Sequence, residues 1–337
     1  MEKEDRILLD HGSGGRASHE LVRDVFLPPL KNPFLEELDD SAVLEIGNQR
    51  IAFSTDSYTV DPIFFPGGDI GCLAVNGTVN DLAMRGATPL YLSAGFIIEE
   101  GFLISDLKRI LASMKDAART AGVKIVAGDT KVVYRQDVDQ IFINTSGIGV
   151  IDGNTSISGS GARADDCVLI SGTVGDHGVT ILSKRGEFSF EAPIQSDSAP
   201  LNGLVREMMS VSDHIHAMRD PTRGGLATSL NEIAIQSNVG IELREDRIPL
   251  HDSVVGACEI LGLDPLYMAN EGKLIAIVSP EDADKVLNCM KAHPYGSEAS
   301  MIGRVVSENR GRVFMKTEIG GTRILDMLAG EQLPRIC

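Results

Sequence analysis

Apolar runs of strand length alternate with amphipathic helical stretches through most of this chain, and that alternation constrains the fold more than any other feature. Residues 90–98 and 123–127 are strand-like, and apolar side chains recur at helical spacing between Leu107 and Ala118. Ser105 is the expected N-cap of this helix, and Gly122 is its expected end. Strands and helices that alternate in this way pack as layers. The sequence therefore predicts an α/β (α+β) fold.

A stretch rich in Gly, Ser and Asn at 152–164 separates two such halves. We expect an N-terminal domain at 1–155, a C-terminal α/β domain at 156–326 and a mobile tail at 327–337. A chain of 337 residues, 43% of them hydrophobic, is long enough to form two cores.

Local patterns add three predictions in less regular parts of the chain. Residues 17–26 form a helix that Pro28 and Pro29 end. Residues 269–273 interrupt a strand that resumes at Leu274. The run from 313 to 326 forms a hairpin around two glycines.

The acidic composition excludes a broad class of partners. The chain carries 31 Lys and Arg against 48 Asp and Glu, a net charge of -17, so we expect no nucleic acid partner. No apolar run reaches the length of a membrane span, and the charged N-terminus lacks the apolar core of a signal peptide. The five cysteines are odd in number and contain no C-x-x-C pair, which is typical of reduced thiols. We therefore expect a cytoplasmic protein with no membrane contact. The first four cysteines are expected to be small buried hydrophobes: Cys72, Cys167, Cys258 and Cys289.

Aspartates stand beside apolar runs in several places, which is unusual because charge is rarely buried unpaired. The four that matter most are Asp40, Asp56, Asp81 and Asp129. Carboxylate oxygens at the ends of such elements suit Mg²⁺ bound together with substrate phosphates, and Lys131 could hold a phosphate beside them. Each aspartate alone also suits a turn or a cap. Taken together they predict a metal–phosphate site.

Glycine-rich segments are further candidates for that site. Gly12, Gly14 and Gly15 leave backbone N–H groups available to an anion, although a flexible linker explains the same composition. Arg223 lies in a Thr-Arg-Gly-Gly run at the start of a helix, which suits an anion or a packing turn. Neither a P-loop motif nor a Rossmann glycine motif is present. Any nucleotide must therefore bind in another way.

Cys337 is the last residue, and a terminal thiol can enter a deep site and leave it again. A frayed end that happens to finish in Cys is the alternative. Glu271 precedes a buried apolar run and is a candidate base with a shifted pKa, or part of an ordinary turn. His214 and His216 have no third ligand nearby in the sequence, so we expect surface or core histidines.

Eight motifs occur in an order that closely resembles the HypE family, the carbamoyl dehydratases of nickel–iron hydrogenase maturation. They are HGSGG at 11–15, FSTDSY at 53–58, NDLAMRGA at 80–87, GDTKVV at 128–133, SGTVGDHG at 171–178, DPTRGG at 220–225, ANEGK at 269–273 and PRIC at 334–337. The aspartate motifs are shared with aminoimidazole ribonucleotide synthetase, selenophosphate synthetase and thiamine-monophosphate kinase. The PRIC ending is specific to the HypE family. The resemblance covers nearly the whole chain.

The resemblance implies a two-domain homodimer of PurM-like architecture, in which the N-terminal sheets meet across the interface and ATP and Mg²⁺ occupy a cleft. Metal and phosphate contacts would fall on Asp40, Asp56, Asp81, Asp129 and Lys131, with the glycine-rich N-terminal segment folding over the nucleotide. The implied partners are the carbamoyltransferase HypF, which loads Cys337, and the HypC–HypD complex, which accepts cyanide.

The implied reaction is the ATP-dependent dehydration of a carbamoyl group on Cys337 to a thiocyanate. Glu271 is the first candidate for the base and His177 the second. Two other functions stay open at this point. One is a small-molecule ATP enzyme of the same superfamily, which would have no use for a terminal thiol. The other is a non-catalytic metal carrier.

Overall fold

The computed structural model describes residues 6–153, 155–185, 194–330 and 335–336, and within these ranges it contains two large mixed sheets with helices packed on them. In chain order the helices and strands are α1 (Arg16–Leu21), α2 (Leu27–Leu30), β1 (Ala42–Ile46), β2 (Gln49–Tyr58), β3 (Phe64–Phe65), β4 (Gly68–Asp69), α3 (Ile70–Met84), β5 (Thr88–Glu99), α4 (Ile104–Ala121), β6 (Lys124–Val133), β7 (Ile141–Ile151), β8 (Cys167–Ile170), α5 (Asp176–Lys184), α6 (Asn202–Val211), β9 (Ile215–Arg219), α7 (Gly225–Gln236), β10 (Gly240–Arg244), α8 (Asp252–Leu261), β11 (Ile275–Val278), α9 (Ala283–Ala292), β12 (Ser300–Val306), β13 (Arg312–Lys316) and β14 (Thr322–Leu325).

The first sheet has the order β1-β2-β7-β5-β6, and only β5 and β6 run parallel. Helices α3 and α4 bury their apolar sides on one side of it. Asp69 caps α3 by accepting hydrogen bonds from the backbone N–H of Gly71 (2.8 Å) and of Cys72 (3.1 Å). In α4, Ile110 and Met114 are fully buried one turn apart, as the periodicity predicts.

The other face of this sheet has no helix on it in the described chain. Phe53, Ile148 and Tyr91 stand side by side in one row across β2, β7 and β5, and they are 41%, 38% and 44% exposed. Nearly every residue of β6, the edge strand, is also exposed. A broad apolar face next to an unpaired strand edge is typical of a surface that another chain covers.

The second sheet has the order β14-β13-β10-β12-β8-β11-β9. Its central strands are apolar on both faces because helices cover both sides. The edge strand β9 ends at Arg219, and the next residue, Asp220, faces the first domain. The predicted hairpin at 313–326 is confirmed as the antiparallel pair β13–β14.

Polar side chains join the two domains. The Asn80 side chain in α3 donates to the carbonyls of Ala199 (3.1 Å) and Glu271 (3.3 Å) and accepts from the N–H of Leu201 (2.8 Å). Arg219 Nε donates to Asp40 Oδ1 at 3.0 Å. These contacts border a cleft between the domains.

Three local predictions are corrected by the structure. Helix α4 begins at Ile104 with Leu103 in the cap position, so Ser105 is not its N-cap. Pro28 and Pro29 do not end the N-terminal helix, because the chain stays helical from α1 through a π-helix at Val22–Phe26 into α2, which contains both prolines. Residues 269–273 lie in a loop as predicted, but the loop does not interrupt a strand, since a 3-10 helix at Pro265–Tyr267 precedes it and β11 begins only at Ile275. A Cβ at Gly272 would lie 1.7 Å from the Asp197 carbonyl oxygen, so the loop is pressed against a neighbouring segment.

Candidate active site

A cleft of about 520 Å³ lies between the N-terminal segment and the two domains, within the size range of small-molecule sites. The residues that line it and matter below are Gly14, Ser18, His19, Asp40, Thr55, Arg219, Asp220, Arg223 and Glu232. Three separate stretches of sequence therefore meet here.

Four aspartates lie at this domain boundary: Asp40 before β1, Asp56 in β2, Asp81 in α3 and Asp220 after β9. Burial raises the pKa of Asp81 well above its usual range, and the charges of Asp220, Asp56 and Asp40 raise it further. The pKa of Asp220 is raised in the same way, by burial and then by Asp40. The four carboxyl groups therefore repel one another across the cleft.

Arg219 offsets part of this negative charge. Its guanidinium binds Asp40 through Nε and lies 3.0 Å from Glu232 Oε2, while His19 Nε2 lies 2.7 Å from the other Glu232 oxygen. Burial alone lowers the pKa of Arg219, but Asp40 and Glu232 raise it above its ordinary value. Arg219 therefore remains a cation at every physiological pH.

Glu271 lies on the loop before β11 and is 3% exposed. Within the described chain its Oε1 has no hydrogen-bond partner. Burial raises its pKa well above the usual range for a glutamate, and the charges of Asp220, Asp197 and Asp56 add to the effect, while Arg223 opposes it. A buried carboxylate with a free oxygen and a raised pKa is suited to take up a proton.

The glycine-rich segment packs tightly against the second domain. Gly14 has φ +76°, and a Cβ there would lie 2.7 Å from Arg223 Cβ, while a Cβ on Gly15 would lie 2.3 Å from the Leu328 carbonyl oxygen. The N–H groups of Gly14 and Gly15 donate to the hydroxyls of Ser18 and Ser13, so they are not free in this structure. The Gly12 carbonyl accepts from Arg223 at 3.2 Å. Close packing against the second domain explains why Gly14 and Gly15 carry no side chain. Contact of the glycine-rich segment with a nucleotide stays a prediction.

Asp129 and Lys131 are not brought together with the other predicted ligands. They pair with each other at 2.6 Å on β6, and both are exposed. Asp129 stands beside Gly95 and Lys131 beside Ile97, on the open face of the first sheet. Asp56 stands beside the fully buried Thr145 on the opposite, helix-covered face. Within one chain, the Asp129–Lys131 pair and Asp56 therefore lie on opposite faces of the sheet.

The end of the chain reaches back between the two domains. Ile336 is 4% exposed and packs into the core of the first domain. His177 Nε2 lies 2.8 Å from the Ile336 carbonyl oxygen, and because a carbonyl only accepts, the ring carries its proton on Nε2. Burial lowers the pKa of His177, so the ring is neutral. Cys337, the predicted reactive residue, lies outside the described residues.

Arg335 is held by both domains. Its carbonyl accepts from the N–H of Asp61 (3.1 Å) and from the guanidinium of Arg185 (2.6 Å). Its side chain donates to the Thr59 carbonyl at 2.8 Å and pairs with Asp139. The residues next to Cys337 therefore have a defined seat, which we call the tail dock and which consists of Thr59, Asp61, Asp139, His177 and Arg185.

The described residues contain no ready-made set of three His, Cys, Asp or Glu ligands around one metal ion. The donor chemistry nonetheless fits a hard cation. Asp40, Asp56, Asp81 and Asp220 supply carboxylate oxygens, and burial raises the pKa of each, so a bound cation would favour their ionised forms.

Sequence reasoning identified Asp40, Asp56 and Asp81 but did not assign Asp220 to the metal set. Asp220 carried the same signal, an aspartate directly after an apolar strand. Asp197 and Glu232 gave no such signal, because neither follows a strand. Of the cysteines, Cys258 is buried, Cys72, Cys167 and Cys289 are partly exposed, and all four are free thiols.

Comparison with known proteins agrees with this arrangement. The family model of the AIR synthase related protein, N-terminal domain, matches residues 38–151, and that of the C-terminal domain matches residues 163–316. The carbamoyl dehydratase HypE of Cupriavidus necator is 53% identical over 336 residues, which span 99% of this chain and 96% of that protein. The chain belongs to the HypE family of carbamoyl dehydratases.

Solved structures of the HypE family share the whole fold. A HypE in a HypE–HypF complex has a TM-score of 0.88 at 51% identity, covering 91% of this chain and 99% of that one. A HypE in complex with ATP has a TM-score of 0.83 at 55% identity, covering 98% of this chain and 100% of that one. The predicted two-domain PurM-like fold and the predicted family are therefore confirmed. No helix in the described ranges is long and apolar enough to span a bilayer.

Proposed function

We propose that this chain uses ATP to dehydrate a carbamoyl group carried on its own Cys337, producing a thiocyanate from which cyanide is passed on. The observation that carries the proposal is the seating of Ile336, the residue joined to Cys337, against His177 at 2.8 Å between the two domains. In a frayed terminus the backbone carbonyls would not accept hydrogen bonds from a buried imidazole and a guanidinium.

The chemistry requires the removal of an amide oxygen, which is a poor leaving group. Attack of the carbamoyl oxygen on the γ-phosphorus of ATP, with loss of one N–H proton, gives an S-bound imidoyl phosphate and ADP. Loss of the second N–H proton and of inorganic phosphate then gives the thiocyanate. The chain's role is to align the reactants and to hold the protons and charges.

Glu271 is the proposed base, because its free carboxylate oxygen and raised pKa suit proton uptake. Both ring nitrogens of His177 are already engaged, by Ile336 and by Ser196 Oγ at 2.8 Å. We therefore assign His177 to holding the tail and not to proton removal. The cleft's buried surroundings keep water from the activated intermediate.

Asp40, Asp56, Asp81 and Asp220 would hold Mg²⁺, which when bound supplies charge neutralisation for the triphosphate. Arg223, on the rim of the cleft, and the segment with Gly12, Gly14 and Gly15 would contact the nucleotide. Lys131 and Asp129 would join the site only if a second chain lies on the open sheet face.

A homodimer supplies that second chain. Its support is the apolar row of Phe53, Ile148 and Tyr91 together with the exposed edge strand β6. HypF is proposed as the carbamoyl donor, which the solved HypE–HypF complex of a relative supports, and HypC–HypD is proposed as the cyanide acceptor. A cytoplasmic location fits the four free thiols.

The test is the intact mass of the protein after incubation with HypF, carbamoyl phosphate and ATP. We expect a carbamoyl adduct without ATP and a cyano adduct with it, both mapped to Cys337. Cys337→Ala should carry neither, and Cys289→Ala, which removes another thiol, should carry both. A cyano adduct on Cys337→Ala would remove the tail from the chemistry.

A further inference from the structure

A short segment at residues 194–201, which we call the strap, crosses between the two domains. The Ser196 N–H donates to the Pro66 carbonyl at 2.9 Å, and Asn76 donates to Ser198 Oγ at 3.1 Å. At its other end the Ala199 N–H donates to the Glu271 carbonyl at 3.4 Å. The strap therefore contacts the first domain and the loop that carries the proposed base.

Asp197, in the middle of the strap, fixes the backbone of that loop. Its carboxylate accepts from the N–H of Glu271 at 3.0 Å and of Gly272 at 3.3 Å. Lys273 Nζ lies 3.1 Å from the same carboxylate, whose side chain is 4% exposed. Three consecutive residues of the loop thus converge on one buried anion.

Ser196, the preceding residue, fixes the histidine that holds the tail. Its Oγ lies 2.8 Å from His177 Nδ1 and accepts from the Ser198 N–H at 3.2 Å. Because His177 Nε2 must carry the proton that Ile336 accepts, Nδ1 is an acceptor and the Ser196 hydroxyl donates to it. Ser196 thereby selects the tautomer that can bind the tail carbonyl.

We infer that Ser196 and Asp197 are positioning residues of the dehydration reaction, one orienting His177 on the tail and the other orienting Glu271 as the base. This inference rests on the proposed function. It makes two neighbouring residues responsible for placing the substrate and the base relative to each other.

Two further observations support a fixed geometry here. Burial raises the pKa of Asp197, but the charge of Lys273 and the hydrogen bond from the Glu271 N–H oppose burial, and the pKa lies below its usual range, so the anion persists. Gly272 leaves no space for a side chain, since a Cβ would lie 1.7 Å from the Asp197 carbonyl oxygen. The loop and the strap are therefore packed in direct backbone contact.

The first arm of the test uses Asp197→Asn, which keeps size and one acceptor oxygen but removes the charge. Protein preloaded with the carbamoyl group is mixed with ATP, and the first-order conversion to the cyano form is followed by mass. We expect a rate about tenfold or more below wild type, because small misplacement of a base is costly. The rate at which a thiol reagent alkylates Cys337 should stay unchanged.

Asp176→Asn is the matched control. Asp176 also lies near Lys273, at 3.8 Å, but makes no hydrogen bond to the Glu271 loop in the described chain. Its conversion rate should stay within about twofold of wild type. An equal loss in both variants, or a loss in Asp197→Asn that is matched by faster alkylation of Cys337, would overturn the assignment of Asp197.

The second arm uses Ser196→Ala, with Ser196→Thr as the conservative rescue. Loss of the hydroxyl should raise the alkylation rate of Cys337 about threefold, and Thr should restore it, because one hydrogen bond is removed and regained. An unchanged rate in Ser196→Ala overturns the assignment of Ser196. If wild-type protein itself forms no cyano adduct, the proposed function fails, whereas a converting wild type with unaffected variants defeats only this inference.

Discussion

At the residue scale, the main feature of the candidate site is its set of buried carboxyl groups. Asp81, Asp220 and Glu271 are buried acids whose pKa values are raised by burial and by neighbouring carboxylates. Such groups destabilise the folded protein when ionised, so their retention in the fold points to use in binding or catalysis.

The pH dependence of conversion tests Glu271. Its raised pKa comes from burial and from Asp220, Asp197 and Asp56, with Arg223 opposing. Because a base acts only when deprotonated, the rate should rise with pH through a pKa above the ordinary glutamate value of about 4.3. Glu271→Gln should lower the rate about a hundredfold and abolish that rise.

The control for this change is Glu308→Gln, which alters an exposed glutamate far from the loop. It should leave the pH profile intact. Conversion by Glu271→Gln at the wild-type rate would assign proton removal to another group.

Replacing Asp81 by Asn should stabilise the ligand-free protein. The folded-state pKa is raised, so the wild type loses stability as pH climbs from the unfolded pKa through the folded one. The gain from Asp81→Asn should therefore be present at neutral pH, about 1 kcal/mol or more, and vanish near pH ~3, where both states are almost entirely protonated.

Thermal melting at both pH values measures this. Asp116→Asn, at a surface aspartate that is 61% exposed, is the control and should change melting little. Lower stability of Asp81→Asn at neutral pH would show that other contacts of Asp81 stabilise the fold more than repulsion among these carboxylates destabilises it.

At the element scale, the tail dock is the feature with the clearest consequence. Arg335 and Ile336 contact strands and loops of the first domain and helix α5 of the second. Two backbone carbonyls of the tail, those of Arg335 and Ile336, accept hydrogen bonds from the dock, so the dock recognises the backbone of the tail as well as its side chains.

Arg335→Lys should loosen the dock. Lysine keeps the charge but loses the fork that reaches both Thr59 and Asp139. Alkylation of Cys337, followed by mass of the C-terminal peptide, should become about tenfold faster, the scale of one charge-assisted contact. Asp139→Asn should act in the same direction, and Lys316→Arg, on β13 away from the tail, should have no effect.

Helices and strands were predictable where the periodicity was strong, as in α4, β5 and the β13–β14 hairpin. Their exact starts were not, since Leu103 and not Ser105 precedes the first turn of α4. A break at 269–273 was predicted, but the path of the loop was not, because its shape depends on the strap, which is distant in sequence.

Asp129 shows why the site was only partly predictable. It carries the same local signal as Asp56, an aspartate in an apolar run. Which face it takes depends on the pairing of β5 with β6, and the register shifts between Leu92 and Ser93. A shift of one residue exchanges the two faces, and no local pattern encodes it.

At the scale of the whole molecule, the open sheet face decides whether Asp129 and Lys131 take part. In a symmetric dimer built on that face, each chain would present its β6 to the other. A site would then combine Glu271 of one chain with Lys131 of its partner.

Mixing two inactive variants tests this arrangement. Lys131→Ala and Glu271→Gln should each be inactive alone, yet mixed dimers contain one site with both groups intact. Random exchange should restore about one quarter of wild-type conversion, since half the dimers are mixed and half of their sites are whole.

Co-expression with different affinity tags isolates the mixed dimer for the measurement. If purified mixed dimers show no conversion, Lys131 acts within its own chain. If Lys131→Ala alone converts at the wild-type rate, Lys131 takes no part in the reaction. Arg310→Ala mixed with wild type, a change at an exposed residue outside the sheet face, controls for the effect of tagging.

The two-sided grip on Arg335 also ties the protein's internal motion to the departure of its tail. Asp61 belongs to one lobe and Arg185 to the other, and both hold the same carbonyl oxygen. While the tail is bound in the dock, this carbonyl links the two domains. If the tail leaves to meet another protein, as the proposed function requires, both hydrogen bonds to this oxygen are lost. Export of the product and opening of the cleft for fresh nucleotide would then be a single event.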